Sequence, residues 1–422
     1  VSVSGKPAIS VIIPTHNRRR LLQQTLAALE RQHCPADSFE VLVVADGCTD
    51  DTDAMVRALQ PGYALHFIEQ DALGVTPARN RGAELSRAPL LLHLDDDVEA
   101  CPELVPSHLR AQQGTTDQVV LAPYILEWHE RPSFHQIERQ TWWSDRFFEL
   151  SRPGHRFAFS DLSAGNFSLP AALYARLGGF DPIFVGYGGK DYELGARLLK
   201  AGAELTFCAA ALGYHRDEQE RNIDRALRRT RRQARNEVRL GRLHPELRPA
   251  LPMTGVDYPQ QGLKYLLRSL AFAAPILGDR LAERLRARLD WQEWLGRRTA
   301  WQSLSADLRF YWYCRGVAEE LGTGEQLAAY VQAGRQAASQ VGREIELDLH
   351  AGLAYCEARL DRERPDGLQL RYGTLPVTRM PPEPGAEALR GRHLRPLLAQ
   401  QRHAWPLALS KAMSEVYGNQ TG

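Results

Sequence analysis

The sequence predicts an α/β fold in its first half, a mixed sheet flanked by helices, joined to a mainly helical C-terminal region. Three observations predict it. Apolar runs of strand length recur through the first 215 residues, amphipathic stretches of helix length separate them, and the texture turns helical beyond that point. Residues 9–15 form the first apolar run. In residues 19–32, Leu22, Thr25, Leu26 and Leu29 recur at helical spacing and bury one stripe. Residues 39–45 are apolar on both faces, as expected of a strand covered on both sides, and residues 64–69 and 89–94 are similar.

Residues 119–128 predict a further strand. Residues 129–161 hold many aromatic and charged residues without a clean period, which predicts an insertion or a lid. A strand follows at 163–169, then a helix ending in Gly178-Gly179. Gly186-Tyr-Gly-Gly189 opens a second helix that runs to Gly202, and residues 203–211 lead as a strand toward His215. Residues 216–242 then carry ten arginines against five acidic residues at roughly helical spacing. Residues 262–340 consist of helix formers with apolar stripes, residues 343–385 mix strand-like alternation with Met380-Pro-Pro-Glu-Pro384, and the last stretch is again helical. The expected division is the α/β domain over 1–245 and a mainly helical region over 246–422 that binds a substrate or a partner.

A chain of 422 residues suits two or three domains. With 44% hydrophobic and 24% charged residues it has the profile of a soluble globular protein. The formal net charge of +1 leaves no global footprint for nucleic acid, so no nucleic-acid partner is expected. The six cysteines stand apart without a C-x-x-C pair, which points to neither zinc nor a disulfide framework and suggests a reducing, cytoplasmic setting. The apolar run ending at Pro14 is too brief for a spanning helix and lacks the layout of a signal peptide.

Ligands of open α/β sheets collect at the carboxyl ends of strands. Four such ends stand out: Pro14-Thr-His-Asn-Arg18, Ala45-Asp-Gly-Cys-Thr-Asp50, Leu94-Asp-Asp-Asp-Val98 and Gly213-Tyr-His215. Gly74-Val-Thr-Pro-Ala-Arg-Asn-Arg-Gly82 lies between the second and third. Their order and spacing over residues 8–215 resemble the inverting, family 2 type of GT-A glycosyltransferase, which acts in glycan or polysaccharide biosynthesis.

The resemblance implies transfer of a hexose or N-acetylhexosamine from a UDP-sugar to the hydroxyl of a carbohydrate or other acceptor, with Mn²⁺ or Mg²⁺. Asp97, the last residue of the Asp-x-Asp pattern, and His215 are implied as metal ligands, a carboxylate and imidazole pair that suits such a cation. Asp95 and Asp96 are implied at the ribose and the metal's water. Pro14, Thr15, Asn17 and Arg18 belong to the nucleotide-binding strand end, with Asp46 and Arg79 reading the base through a carboxylate acceptor and a guanidinium. Asp191 in Gly188-Gly-Lys-Asp-Tyr-Glu matches the family's general base, and at the first turn of a helix the macrodipole favours its carboxylate form. Gly165, Asn166, Asp181, Gly188, Gly189 and Lys190 are implied at the sugar and acceptor.

Two residues depart from the family pattern. Cys48 replaces the usual Ser after Asp46-Gly47, and Lys190 replaces the Glu that precedes the base. A cation at 190 admits an acidic acceptor, altered efficiency or an introduced substitution. Trp142 and Trp143 are open to stacking on an acceptor sugar or to core packing. His16 and His93 are expected to be structural, and Glu193 with Arg197 to form a local ion pair. The arginine-rich stretch admits neutralisation of the leaving diphosphate, contact with the inner face of a membrane, or a solvated helix. Residues 265–277, interrupted by Arg268 and Pro275, predict a core helix. The rival readings are a non-catalytic sugar- or nucleotide-binding scaffold and a nucleotidyltransferase. The latter needs a Gly-rich phosphate loop that Pro14-Thr-His-Asn17 does not supply.

Overall fold

The computed structural model describes residues 6–126, 130–216 and 222–401, with side chains through 399. The first half forms β1 (Ile9–Thr15), α1 (Arg19–Leu29), β2 (Phe39–Asp46), α2 (Thr52–Ala58), β3 (Ala64–Gln70), α3 (Val75–Leu85), β4 (Leu90–Leu94) and β5 (Val98–Ala100). It continues with α4 (Leu104–Ala111), β6 (Gln118–Leu121), β7 (Tyr124–Leu126), α5 (Phe134–Leu150), β8 (Asn166–Pro170), α6 (Ala171–Arg176), α7 (Lys190–Lys200), β9 (Glu204–Phe207) and β10 (Gly213–His215). Seven strands make one sheet in the order β3-β2-β1-β4-β8-β6-β9. Only β8 runs against its neighbours β4 and β6. This mixed sheet, covered by helices on both faces, is the α/β architecture expected from the strand pattern and agrees with the GT-A fold that the resemblance implies. β1 and β2 are buried along their whole length, which explains why their sequences do not alternate.

A small second sheet decides the chemistry. In it β10 pairs antiparallel with β5 and parallel with β7. Residues more than a hundred positions apart thereby become neighbours, with His215 opposite Val98.

The region expected as an insertion holds a 17-residue helix, α5. Its start is a capping box in which Ser133 accepts from the Gln136 N–H and Gln136 returns to the Ser133 N–H. The aromatics on several of its faces pack against the sheet and the helical region together, which erases a single apolar stripe.

Beyond the sheet lie α8 (Ile223–Leu243), α9 (Met253–Asp257), α10 (Gly262–Ala273), α11 (Pro275–Trp294), α12 (Arg298–Leu321) and α13 (Gly324–Ser339). These helices share one core that includes Leu227, Val238, Leu267, Trp301, Tyr311 and Val331. A third core joins β11 (Glu344–Asp348), β12 (Gly367–Tyr372), β13 (Leu375–Met380), α14 (Leu353–Glu363) and α15 (Gly391–Gln401). The arginine-rich α8 thus shares its buried side with residues beyond 245. Residues 265–277 do not form one core helix. Pro275 starts a new helix, and although Leu267 and Ala271 are buried, Tyr265, Leu266, Ile276 and Leu277 are exposed. No described helix is long and apolar enough to cross a membrane.

Candidate active site

The carboxyl ends of β1, β2 and β4 open into a cleft of about 720 Å³ that also receives α5, the 185–189 loop, the start of α7, β10 and one side of α8. The acidic turn after β4 is fastened from four sides. Asp95 N–H donates to Gly165 O, the Val98 N–H closes on Asp95 O, Thr25 Oγ1 donates to Asp96 O and the Arg216 N–H to Asp97 O. Three adjacent carboxylates repel one another, and the turn holds only because each has a counterpart. Arg79 pairs with Asp95, Thr15 Oγ1 donates to Asp96 Oδ2 at 2.8 Å, and Arg18 Nη1 reaches Asp96 Oδ1 at 2.9 Å and Asp97 Oδ2 at 2.6 Å.

These surroundings separate the acids. Burial opposes ionisation of Asp95, yet Arg79, Lys190, His215 and Arg18 outweigh it and hold its pKa below the usual carboxylate range. For Asp96, burial and then the neighbouring Asp97 prevail over Arg18 and Thr15, and its pKa rises to about 7. Asp97 Oδ1 is buried without a hydrogen-bond partner among the described residues and lies 3.4 Å from His215 Nε2. A buried carboxylate oxygen left unpaired is costly, which makes this atom a ready ligand for a cation. Among the described residues no cluster of three or more His, Cys, Asp or Glu side chains surrounds it. A cation held at this pair would need further oxygens from a substrate or water.

Across the cleft, Gly189 caps α7 with φ of 80°, and a Cβ there would meet Phe184 and Asn236 at 2.7–2.8 Å. Gly188, with φ of 85°, lies against Gln233 in the same way. Asn236 of α8 donates to the carbonyls of Val185, Tyr187 and Gly188 at 3.0–3.2 Å and so sets the path of the loop. The loop delivers Asp191 to the first turn of α7, where Lys190 Nζ reaches both its oxygens at 2.9 and 3.1 Å. Glu193 and Arg197 form the expected ion pair one turn on, and Arg197 also holds the carbonyls of Leu177 and Gly179.

Residues 10–175 match the family described as Glycosyl transferase family 2. The match covers less than half of the chain. Residues 145–219 of it also match the N-terminal domain of galactosyltransferase. The validoxylamine A glucosyltransferase of Streptomyces hygroscopicus subsp. jinggangensis is 35% identical over 277 residues, covering 59% of this chain and 64% of that enzyme. The chain thus spans less than two thirds of that relative's length. The chondroitin synthase of Escherichia coli is 26% identical over 253 residues, covering 52% of this chain and 36% of that protein. Among solved structures, a mannosyltransferase from Pyrobaculum calidifontis in complex with GDP-Man and Mn²⁺ is 19% identical, covers 80% of this chain and 88% of its own, and has a TM-score of 0.45.

The cleft brings together Pro14, Thr15, Arg18, Asp46, Arg79, Asp95, Asp96, Asp97, Gly165, Gly188, Gly189, Lys190, Asp191 and His215. Three expected ligand-binding residues stand elsewhere. Asn17, at φ of 52°, is exposed outside the cleft lining, and its Oδ1 accepts from Thr49 and Asp50, so it staples two strand-end loops together. Asp181 accepts from the Ile183 N–H within its own turn and does not line the cleft. Asn166 turns into the core, where its amide donates to Pro123 O and Ala211 O and its Oδ1 meets His108 Nε2 at 3.0 Å. Burial holds His108 neutral, its pKa lowered to about 4 despite that contact. Asn166→Ala is expected to cost roughly 1–3 kcal/mol for each group left unpaired, measured by denaturant unfolding, with no change in nucleotide affinity.

Other expectations shift in meaning. Gly165 has no side chain because the Tyr124 ring lies where its Cβ would stand, rather than to leave room for a sugar. Asp46 accepts from Gln70 and the N–H groups of Leu73 and Gly74, ordering the loop into α3. His16 holds Asp46 O through Nδ1 at 2.6 Å. His93 is enclosed by Phe167, Tyr174 and Phe180, and burial, helped by Arg79, drives its pKa well down. Trp143 packs on Tyr124 and Phe147, whereas Trp142 stays about half exposed in the cleft. Sequence reasoning did not identify Tyr124, Arg139, Tyr187 or Gln233 as cleft residues. Tyr124 and Arg139 stand in stretches without a motif, Tyr187 inside the glycine-rich loop and Gln233 within the arginine-rich stretch, and nothing local marked any of them as facing a cleft.

Proposed function

We propose that this protein is an inverting glycosyltransferase that moves a sugar from a UDP-sugar to an acceptor hydroxyl. The observation that supports it most is Asp97 Oδ1, buried without a hydrogen bond among the described residues and 3.4 Å from His215 Nε2, in one cleft with a helix-start carboxylate, Asp191. Asp97 and His215 would hold Mn²⁺ or Mg²⁺, which supplies neutralisation of the charge developing on the leaving diphosphate.

The chain's own residues do the rest. Thr15, Arg18, Asp46, Arg79, Asp95 and Asp96 form the nucleotide wall. Among the described residues Asp46 Oδ2 accepts a single hydrogen bond, from the Gly74 N–H, and keeps a lone pair for the N3–H of uracil. Asp191 takes the proton of the acceptor hydroxyl as that oxygen bonds to the anomeric carbon. The bond from that carbon to the diphosphate breaks, and UDP leaves with the electron pair. Lys190 reaches both oxygens of the base and holds it in place. Trp142 offers an apolar face for a sugar ring.

A panel of UDP-sugars incubated with the protein and Mn²⁺ tests the reading. Slow UDP release from at least one sugar, stopped by EDTA and restored by excess Mn²⁺, is the expected result. Binding without turnover of any sugar would leave a scaffold, and sugar 1-phosphate in place of UDP would indicate nucleotidyl transfer.

A further inference from the structure

We infer that the acceptor carries an oxyanion, a phosphate or a carboxylate, which is read by one face of α8. This rests on the glycosyl-transfer reading and concerns its acceptor side. Arg225, Arg228, Arg229 and Arg232 stand at i, i+3, i+4 and i+7, so they share one helix face, and all four line the cleft. The arginines on the adjoining face have another task. Arg231, Arg235, Arg239 and Arg242 pair with Glu319 and Glu320 of α12 and fasten α8 to the helical core. Arg228 and Arg232 have no ion-pair partner among the described residues, and both are exposed at the cleft. A helix that neutralises one row of its charges and leaves Arg228 and Arg232 open to a cleft has positive potential to spare there.

The position of that face assigns it to the acceptor. α8 packs directly on the loop that carries the base: Gly188 lies against Gln233, the Arg232 side chain lies 3.7 Å from where a Cβ of Gly186 would stand, and the Arg229 guanidinium sits 4.8 Å over the Tyr187 ring. An acceptor must reach Asp191 to lose its proton, and this basic wall flanks that approach. The Asp97 and His215 pair, where the diphosphate belongs, is built from the ends of β4 and β10 instead. Lys190, which stands where the family pattern has Glu, adds a cation to the same side. Guanidinium groups favour phosphate and carboxylate over neutral hydroxyls through charge-assisted, often bidentate hydrogen bonds.

The test is calorimetry on the full chain loaded with UDP and Mn²⁺, titrated with glucose, glucose 6-phosphate and glucuronate. At least one of the two anionic probes is expected to bind about ten-fold or more tightly than glucose, and which of them does so names the oxyanion. In Arg228→Gln/Arg232→Gln the preference is expected to fall to about two-fold or less, with UDP affinity retained. Equal binding of all three probes, binding of none, or a preference that survives in the double variant overturns the proposal. Loss of UDP affinity in that variant also overturns it and gives the arginines to the leaving diphosphate. Failure of the unaltered protein to bind UDP with Mn²⁺ strikes the donor reading instead, and the probes titrated without UDP then decide the basic wall on the same criteria.

Discussion

Asp191→Asn is expected to lower kcat by roughly 10²–10⁴-fold while the affinity for UDP changes by no more than about two-fold, the range that general-base catalysis supplies. Asn keeps the size and the position at the start of α7 but cannot take a proton at neutral pH. Gly189 caps the helix through its backbone and Asn236 fixes the loop before it, so the substitution leaves the local fold in place. Lys190 loses one carboxylate partner and remains able to hydrogen bond to the amide oxygen. Steady-state kinetics with a competent acceptor, paired with calorimetry for UDP, reads both halves. Full activity in the variant contradicts the assignment of the base.

Asp97→Asn is expected to abolish most metal-dependent turnover, by roughly 10²–10⁴-fold, because the charge stabilisation given by a bound cation amounts to several kcal/mol and each 1.36 kcal/mol is about a decade in rate. The loss is local. Arg18 keeps its bond to Asp96, the Asp97 carbonyl keeps the Arg216 N–H, and the turn stays fastened to Gly165 and Thr25. The measurement is UDP release against Mn²⁺ concentration, with circular dichroism to show the fold retained. The variant should need far more Mn²⁺ or fail to respond to it. An unchanged Mn²⁺ response would remove Asp97 from the metal site.

Much of this was legible in the sequence. Continuous apolar runs such as Val41 to Val44 marked strands buried on both faces, and polar residues following them marked the strand ends where the cleft lies. Asp46, Asp95, Asp96, Asp97 and Asp191 could be read from local patterns because a strand end or a helix start commits a short polar segment to one place.

Other features escaped. Asn166 and Asp181 sit in segments of the right kind, but which way a side chain turns depends on neighbours far away in the chain: the carbonyls of Pro123 and Ala211 claim the first, while the second turns back on its own loop. Helix α5 was hidden because its aromatics face two cores, and a single-stripe search has no signature for that.

By itself the sequence determined the layered α/β half, the order of its strand ends, the carboxylates they carry and the helix start that holds Asp191. These follow from periodicity and local backbone preference, which act over a few residues. The resemblance implied that His215 stands beside Asp97, but only the tertiary structure gave the strand pairing that puts it there, and it alone decided that half the arginines of α8 face the cleft while the others face Glu319 and Glu320, and that Asn236 sets the loop before the base. Strand pairing and helix packing join segments many residues apart, and no local preference records which segments they join.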